Sequence, residues 1–326
     1  MTSSTNRDHF HAHIGPNNQG QRLDKFLMSE LSLSRTQVKR LLSAGCVRLN
    51  ARKALLKAKG HVCQAGDKIK VDLSLLLNNQ GDTDEIITPQ YHQLKNYLIK
   101  STPDYLFINK PAGMPVHPLK LGETDTILNA VVADYPQVQG VGEAGLKSGV
   151  VHRLDVTTSG TLAVAITQNG WDELRTAFQQ HTIKKTYLAL VQGQLTQPAD
   201  LQAELAITTH SPAKVSVIDL PQSANINTRT CTLSYKPLRN LNHATLIEVD
   251  LGTGFLHQIR VMMANLGHPL LGDPLYQGPS TIQTHNHQTI AVNRPMLHAK
   301  QLCHKSHNIS CSCPKDFDNI KKALEK

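Results

Sequence analysis

Along LSRTQVKRLLSAG, the apolar residues Val38, Leu41 and Leu42 recur at helical spacing, which predicts a helix with Ser34 capping its first turn and Gly45 ending it. Thr36, Lys39, Arg40 and Ser43 then face outward. VRLN near Val47 and KIKVDL after the Gly66-Asp67 turn predict strands, so this region reads as a compact helix-plus-hairpin module. From 74 to 96 the periodicity lapses and Asn, Asp and Gly accumulate, as in a linker. Beyond it, the strand-like runs YLFINK, TLAVAIT, TYLALVQG and ATLIEVDLG mix irregularly with two helices. One helix is expected near 169–181, with Trp171, Leu174 and Phe178 on one face, and one near 257–266, ended by Gly267. Strands mixed with few helices point to an α+β domain rather than regular βαβ alternation. The expected division is a disordered polar tail over 1–19, containing His9, His11 and His13, then a small α/β module over 20–73, a linker over 74–96 and a large domain over 97–326.

A chain of 326 residues that is 40% apolar can bury the cores of a modest and a larger domain. Its net charge of +9 favours a polyanionic partner, nucleic acid first. That excess is concentrated in the small module, where Arg22, Lys25, Arg35, Lys39, Arg40, Arg48, Arg52, Lys53, Lys57, Lys59, Lys68 and Lys70 face only Asp24, Glu30, Asp67 and Asp72. An ordinary solvated basic face is the plain alternative. The first residues lack a cationic start followed by an apolar stretch, and no run approaches the ~18 apolar residues of a membrane span, so a cytosolic protein with cysteines kept as thiols is expected.

The densest chemical signal is HRLDVTTSG, residues 152–160. It presents a carboxylate beside a guanidinium, then a small-residue turn, then the apolar strand TLAVAIT, so that Asp155 stands at the entrance of a rigid element. Alone, the segment would equally suit an Arg153–Asp155 ion pair that pins a loop.

Four further stretches occur in order with it: INKPAGMPVHP, KKTYLALVQG, HQIRV followed by LGHPLLGDPLYQG, and RPMLHA. Each alone reads as turn or loop chemistry. Together with H-R-L-D-x-x-T-S-G they resemble the RluA/RluD-type pseudouridine synthase family across essentially the whole large domain. The order RLDKFL, SRTQVKRLL, G-x-V-x-LN and AGDKIKV resembles the small RNA-binding domain of ribosomal protein S-four over about 21–73.

The resemblance implies a mixed, mainly antiparallel catalytic sheet and the isomerisation of uridine to pseudouridine in RNA, without a metal or organic cofactor. It makes Asp155 the catalytic aspartate, Arg260 its cationic partner, and Tyr187 the aromatic that stacks on the base and takes part in proton transfer. A core aromatic on a strand is the plain alternative for Tyr187. Arg153 matches the residue that accompanies extrusion of the base, and His152 is expected beside it at the RNA. In the small module Arg22, Lys25, Arg35, Lys39 and Arg40 are the expected RNA contacts. Ribosomal RNA of the large subunit is the expected substrate, transfer RNA the runner-up, and the chain is expected to act as a monomer.

The chain departs from the family pattern at several points. Phe255-Leu256 stand where Arg-Thr is usual, Met262-Met263 follow Val261, Lys300 replaces an aromatic, and Asn50-Ala51 replaces Asn-Gly. A non-catalytic RNA-binding or ribosome-assembly protein on the same scaffold is the rival reading. Cys303, His304, His307, Cys311 and Cys313 carry zinc-ligand chemistry, but their spacing matches no standard finger, and a C-terminal β-hairpin is expected there instead, with Cys311 and Cys313 on one face.

Overall fold

The computed structural model describes residues 3–6, 9–31, 33, 35–53, 60–74, 87–90, 94–143, 145–210, 212–218, 227–284 and 286–325, with only the backbone of 3–6, 35, 36 and 40. The chain gathers into two compact units, Met1–Asp84 and Glu85–Lys326.

The first unit contains β1 (Ser3–Asn6), β2 (His9–His13), α1 (Leu23–Leu31), α2 (Arg35–Ser43), β3 (Val47–Leu49), β4 (Arg52–Lys53) and β5 (Lys68–Asp72). Its antiparallel sheet has the order β1-β2-β5-β3-β4. The helix expected from the pattern is α2, and Gly45 follows it at φ 69, although its expected cap Ser34 lies outside the described residues. The expected disordered tail is corrected: β2 pairs with β5, and Phe10, Ala12 and Ile14 are buried against Phe26, Leu27, Leu41 and Leu42. The alternation of HFHAHI is a strand period, with its histidines exposed on the other face. The turn after β3 forms despite Ala51, with Asn50 at φ 50 and Ala51 at φ 67. Asn50 steadies it, since its Nδ2 donates to Asp67 Oδ1 at 2.7 Å and its Oδ1 accepts from the Lys68 amide at 2.9 Å.

The second unit holds β6 (Leu98–Ser101), β7 (Tyr105–Lys110), α3 (Ile127–Asp134), β8 (Ser159–Ala165), α4 (Gln168–Gln179), β9 (Lys184–Gln192), β10 (Ala199–His210), β11 (Ala213–Val217), β12 (Arg229–Leu241), β13 (Ala244–Leu251), α5 (Gln258–Asn265), β14 (Thr281–Gln283), β15 (Thr289–Ala291), β16 (Leu297–His304), β17 (His307–Ser310) and α6 (Lys315–Leu324). The main sheet runs β11-β10-β12-β13-β9-β16-β8-β7-β6, with β17 on β16, and β14 and β15 pair apart from it. Every pairing is antiparallel except β16 with β8, which makes the sheet mixed and mainly antiparallel.

Helices α4 and α5 fall where expected, but α3 and α6 enlarge the expected pair. ILNAVVAD is apolar nearly all round, with Ile127 to Val132 all buried, so α3 carries no amphipathic stripe to read. The expected linker also ends early, because Ile87 and Leu94 are buried in the large core. Residues 75–86 and 91–93 lie outside the described residues.

Candidate active site

Asp155 sits on the loop that feeds β8, and that strand is locked in place by its neighbour. Gly160 has φ 120, and a Cβ there would strike the backbone of Ala299 in β16, so only glycine lets the two strands pass. Ser159 Oγ and His298 Nδ1 meet at 3.0 Å, and Thr161 Oγ1 donates to the Ala299 carbonyl at 3.0 Å. The loop is also held by Lys110 at the end of β7. This fully buried amine donates to the carbonyls of Pro111 and Met114, each at 2.9 Å, and of Val156 at 3.1 Å. Burial draws its pKa down to about 7 against the pull of Asp155.

Arg260, from the first turn of α5, joins two carboxylates. Its Nε and Nη2 donate to both oxygens of Asp273 at 2.6 and 2.8 Å, and its Nη1 donates to Asp155 Oδ2 at 3.2 Å. Asp273 is fully buried, whereas the Asp155 side chain is 22% exposed. Burial opposes the charge on Arg260, but the carboxylates of Asp273 and Asp155 outweigh it and hold the guanidinium above its ordinary pKa. The planar fork suits this arrangement because one edge grips Asp273 while the remaining nitrogen reaches Asp155.

Tyr187 is buried on β9 and lines the same cavity of about 810 Å³ as Asp155, Arg153, Lys185, Phe255 and Arg260. Burial first, and the charge of Asp155 second, raise its pKa and keep the hydroxyl protonated. Lys185, two residues earlier, donates to the Thr253 carbonyl at 3.2 Å, and burial lowers its pKa to about 8. Phe255 and Leu256 are half-buried and pack against the large core. Gln258 braces their loop, its Oε1 accepting from the Phe255 amide at 3.0 Å and from Thr253 Oγ1 at 2.8 Å.

The expected catalytic residues Asp155, Tyr187 and Arg260 therefore converge. Arg153 is exposed at the cavity rim, and the guanidinium on Asp155 is that of Arg260. His152 is half-buried on the wall of the same cavity and is held in place: its Nε2 accepts from the Ala163 amide at 2.9 Å, and its ring stacks on Phe178 with centroids 4.5 Å apart. Burial pushes its pKa down to about 3, so the ring is neutral and braces the loop. In the first unit, Lys25 and Lys39 are exposed, Arg22 is half-exposed and donates to both oxygens of Asp24, and the side chains of Arg35 and Arg40 lie outside the described residues.

The cysteine and histidine cluster disperses over the hairpin of β16 and β17 and the segment after it. Cys303 donates to Asn308, His304 meets Glu173 at 2.8 Å, His307 meets Lys100, and Cys311 meets Thr161. Cys311 and Cys313 follow the end of β17 rather than lying within it. Among the described residues, no three His, Cys, Asp or Glu gather as metal ligands. Sequence reading missed Asp273 and Lys110, which sit in LGDP and KPAG; the only available signal was that each is a charged residue inside an otherwise turn-like stretch.

A sequence profile for RNA pseudouridylate synthases matches residues 104–265, which include Asp155, Tyr187 and Arg260. The chain is 32% identical to ribosomal large subunit pseudouridine synthase D of Zymomonas mobilis, over 87% of this chain and 85% of that one. It is also 32% identical to the protein of that name from Nitrosomonas europaea, over 92% and 81% of the two chains. The structure of human RNA pseudouridylate synthase domain containing 4 superposes with a TM-score of 0.55 at 20% identity, covering 71% of this chain and 94% of that one, a likeness of fold. With 32% identity sustained over most of both chains, this chain belongs to the RNA pseudouridylate synthase family and is an enzyme that isomerises uridine in RNA.

Proposed function

We propose that Asp155 is the nucleophile of the isomerisation and that the substrate is large-subunit ribosomal RNA. The observation that carries the first part is the sharing of Arg260 between buried Asp273 and cavity-lining Asp155, because a guanidinium fixed by Asp273 holds the Asp155 carboxylate in place on the cavity wall, where a nucleophile must stand. The uridine leaves the RNA stack and enters the cavity. Asp155 attacks the nucleoside, the bond from C1′ to N1 breaks, and the carboxylate holds one fragment while the base turns. C5 then bonds to C1′ as the bond to Asp155 breaks and the carboxylate is released, the C5 proton leaves and N1 gains one, so the product is an isomer. Tyr187 offers its ring to the base and its protonated hydroxyl to the proton transfer.

The relatives' names support ribosomal RNA over transfer RNA. The basic first unit, read as a domain like that of ribosomal protein S-four, anchors the RNA through its phosphates, and the chain works as a monomer in the cytosol. Tritium release from RNA labelled at C5 of uridine tests the nucleophile. Asp155→Asn should lower the single-turnover rate by at least about a thousandfold at unchanged RNA affinity, and a rate near wild type would leave Asp155 a structural residue. Mapping pseudouridine in ribosomal and transfer RNA from a strain lacking the gene tests the substrate.

A further inference from the structure

His257 immediately precedes α5 and adopts φ 52, ψ 18, the left-handed region that a side chain with a Cβ rarely occupies. This backbone turns its ring into the cavity, where its Nε2 stands 3.9 Å from Asp155 Oδ2. The other ring nitrogen, Nδ1, lies 3.0 Å from the Tyr276 hydroxyl. That hydroxyl oxygen accepts the Val215 amide at 3.0 Å, and donating its own proton to His257 Nδ1 would complete its hydrogen bonding. In that arrangement the ring proton is on Nε2, facing the carboxylate.

The turn that supplies Tyr276 also supplies Asp273. Asp273 caps it by accepting from the Leu275 amide at 3.2 Å, and Pro274–Tyr276 form the turn itself. One short segment therefore holds both groups that approach Asp155 Oδ2: Arg260 through Asp273, and His257 through Tyr276. The Arg260 guanidinium carbon lies 5.2 Å from the Tyr276 ring centroid, which ties the two arms together. Among the described residues both contacts fall on Oδ2 and none on Oδ1.

We propose that His257 is a positioning residue of the isomerisation, held by Tyr276 as the tautomer with its proton on Nε2, which closes on Asp155 Oδ2 when uridine enters and leaves Oδ1 as the attacking oxygen. At 3.9 Å the contact is longer than a hydrogen bond, as such contacts often are before substrate arrives. Burial lowers the pKa of the ring; Asp155 and Asp273 pull it up while Arg260 and Arg153 push it down, and a neutral donor results. The assignment rests on Asp155 being the nucleophile.

The test uses the full chain, with uridine-labelled large-subunit ribosomal RNA at saturation. His257→Ala should slow single turnover by about 100-fold, the cost of a reacting group misplaced by an ångström, at unchanged RNA affinity. His257→Gln, whose amide restores a donor at similar reach, should recover most of the rate. Independently of activity, the imidazole nitrogen NMR signals of wild type should show Nδ1 unprotonated and Nε2 protonated, and Tyr276→Phe should mix the tautomers. A proton on Nδ1 in wild type, a full rate in His257→Ala, or equal losses in the Ala and Gln variants would each overturn the proposal. Full activity in Asp155→Asn would instead overturn the nucleophile on which it rests, and the positioning role would fall with it.

Discussion

In the first unit Lys25, Lys39, Lys68 and Lys70 are exposed, whereas in the second Arg260 is 6% exposed and Lys110 fully buried, each held by fixed oxygen acceptors. In the proposed anchoring role the exposed set acts by number: each contact with a phosphate would release counterions and add a small, salt-sensitive increment to binding. The buried pair acts by position, since a charge removed from water is tolerated only when its partners are in place. Losses should therefore be graded at the surface and steep at the site.

The steepest loss is expected from Arg260→Ala. It removes the cation from buried Asp273 and from Asp155 together, so stability should fall by about 3–5 kcal/mol and activity nearly as far as in Asp155→Asn. Lysine at 260 should rescue only partly, lacking the two-pronged fork. Denaturant unfolding and tritium release read both effects, and near-wild-type values in Arg260→Ala would break the contrast at its root.

His152 sharpens it through pH. Its folded pKa is about 3 against an ordinary 6.5, so below 6.5 the unfolded chain takes up a proton that the native ring refuses. Stability should decline as pH falls through that window, by about 1–2 kcal/mol between pH 6.5 and 5. In His152→Gln, which keeps an acceptor for the Ala163 amide, this part of the slope should vanish in unfolding titrations; an unchanged slope would assign it to other groups.

At the surface, the double substitution Lys25→Glu and Lys39→Glu should weaken RNA binding and reduce the slope of log affinity against log salt by about one for each phosphate that is no longer neutralised, leaving the saturated single-turnover rate unaltered. An unchanged slope would identify these lysines as a solvated face alone. The smallest effect is expected at Ala51, which occupies the left-handed region at φ 67: Ala51→Gly should stabilise the first unit by about 0.5–1 kcal/mol, measured by thermal unfolding.

The same division explains what the sequence disclosed. β7, β8, β9 and β13 are legible because continuous or alternating apolar runs record burial locally. β2 is hidden because three histidines make a strand's solvent face look like a polar tail, and α3 because uniform burial erases the helical stripe. At the site, Asp155 and Arg260 stand in distinctive strings. Asp273 and Lys110 stand in turn-like strings of sequence, and their significance lies in oxygens or nitrogens that folding brings across 13 and 46 residues of chain. Local spacing holds no trace of such pairings. His152 shows the converse, since a residue inside the most distinctive motif turned out to brace the backbone.

The passage of β8 against β16 at Gly160 and Ala299 also sets an order of events during synthesis. Strand β16 lies between β9 and β8 in the sheet, yet in the chain it follows all the other strands of that sheet except β17. Until it emerges from the ribosome, β8 and β9 present unpaired flanks, and the loop bearing Asp155 lacks the backing of β16. A nascent chain can therefore carry every strand of the central sheet except β16 and β17 and still lack one of the supports of the Asp155 loop. Those two flanks, rich in apolar residues, are then the places where a stalled chain would stick to another.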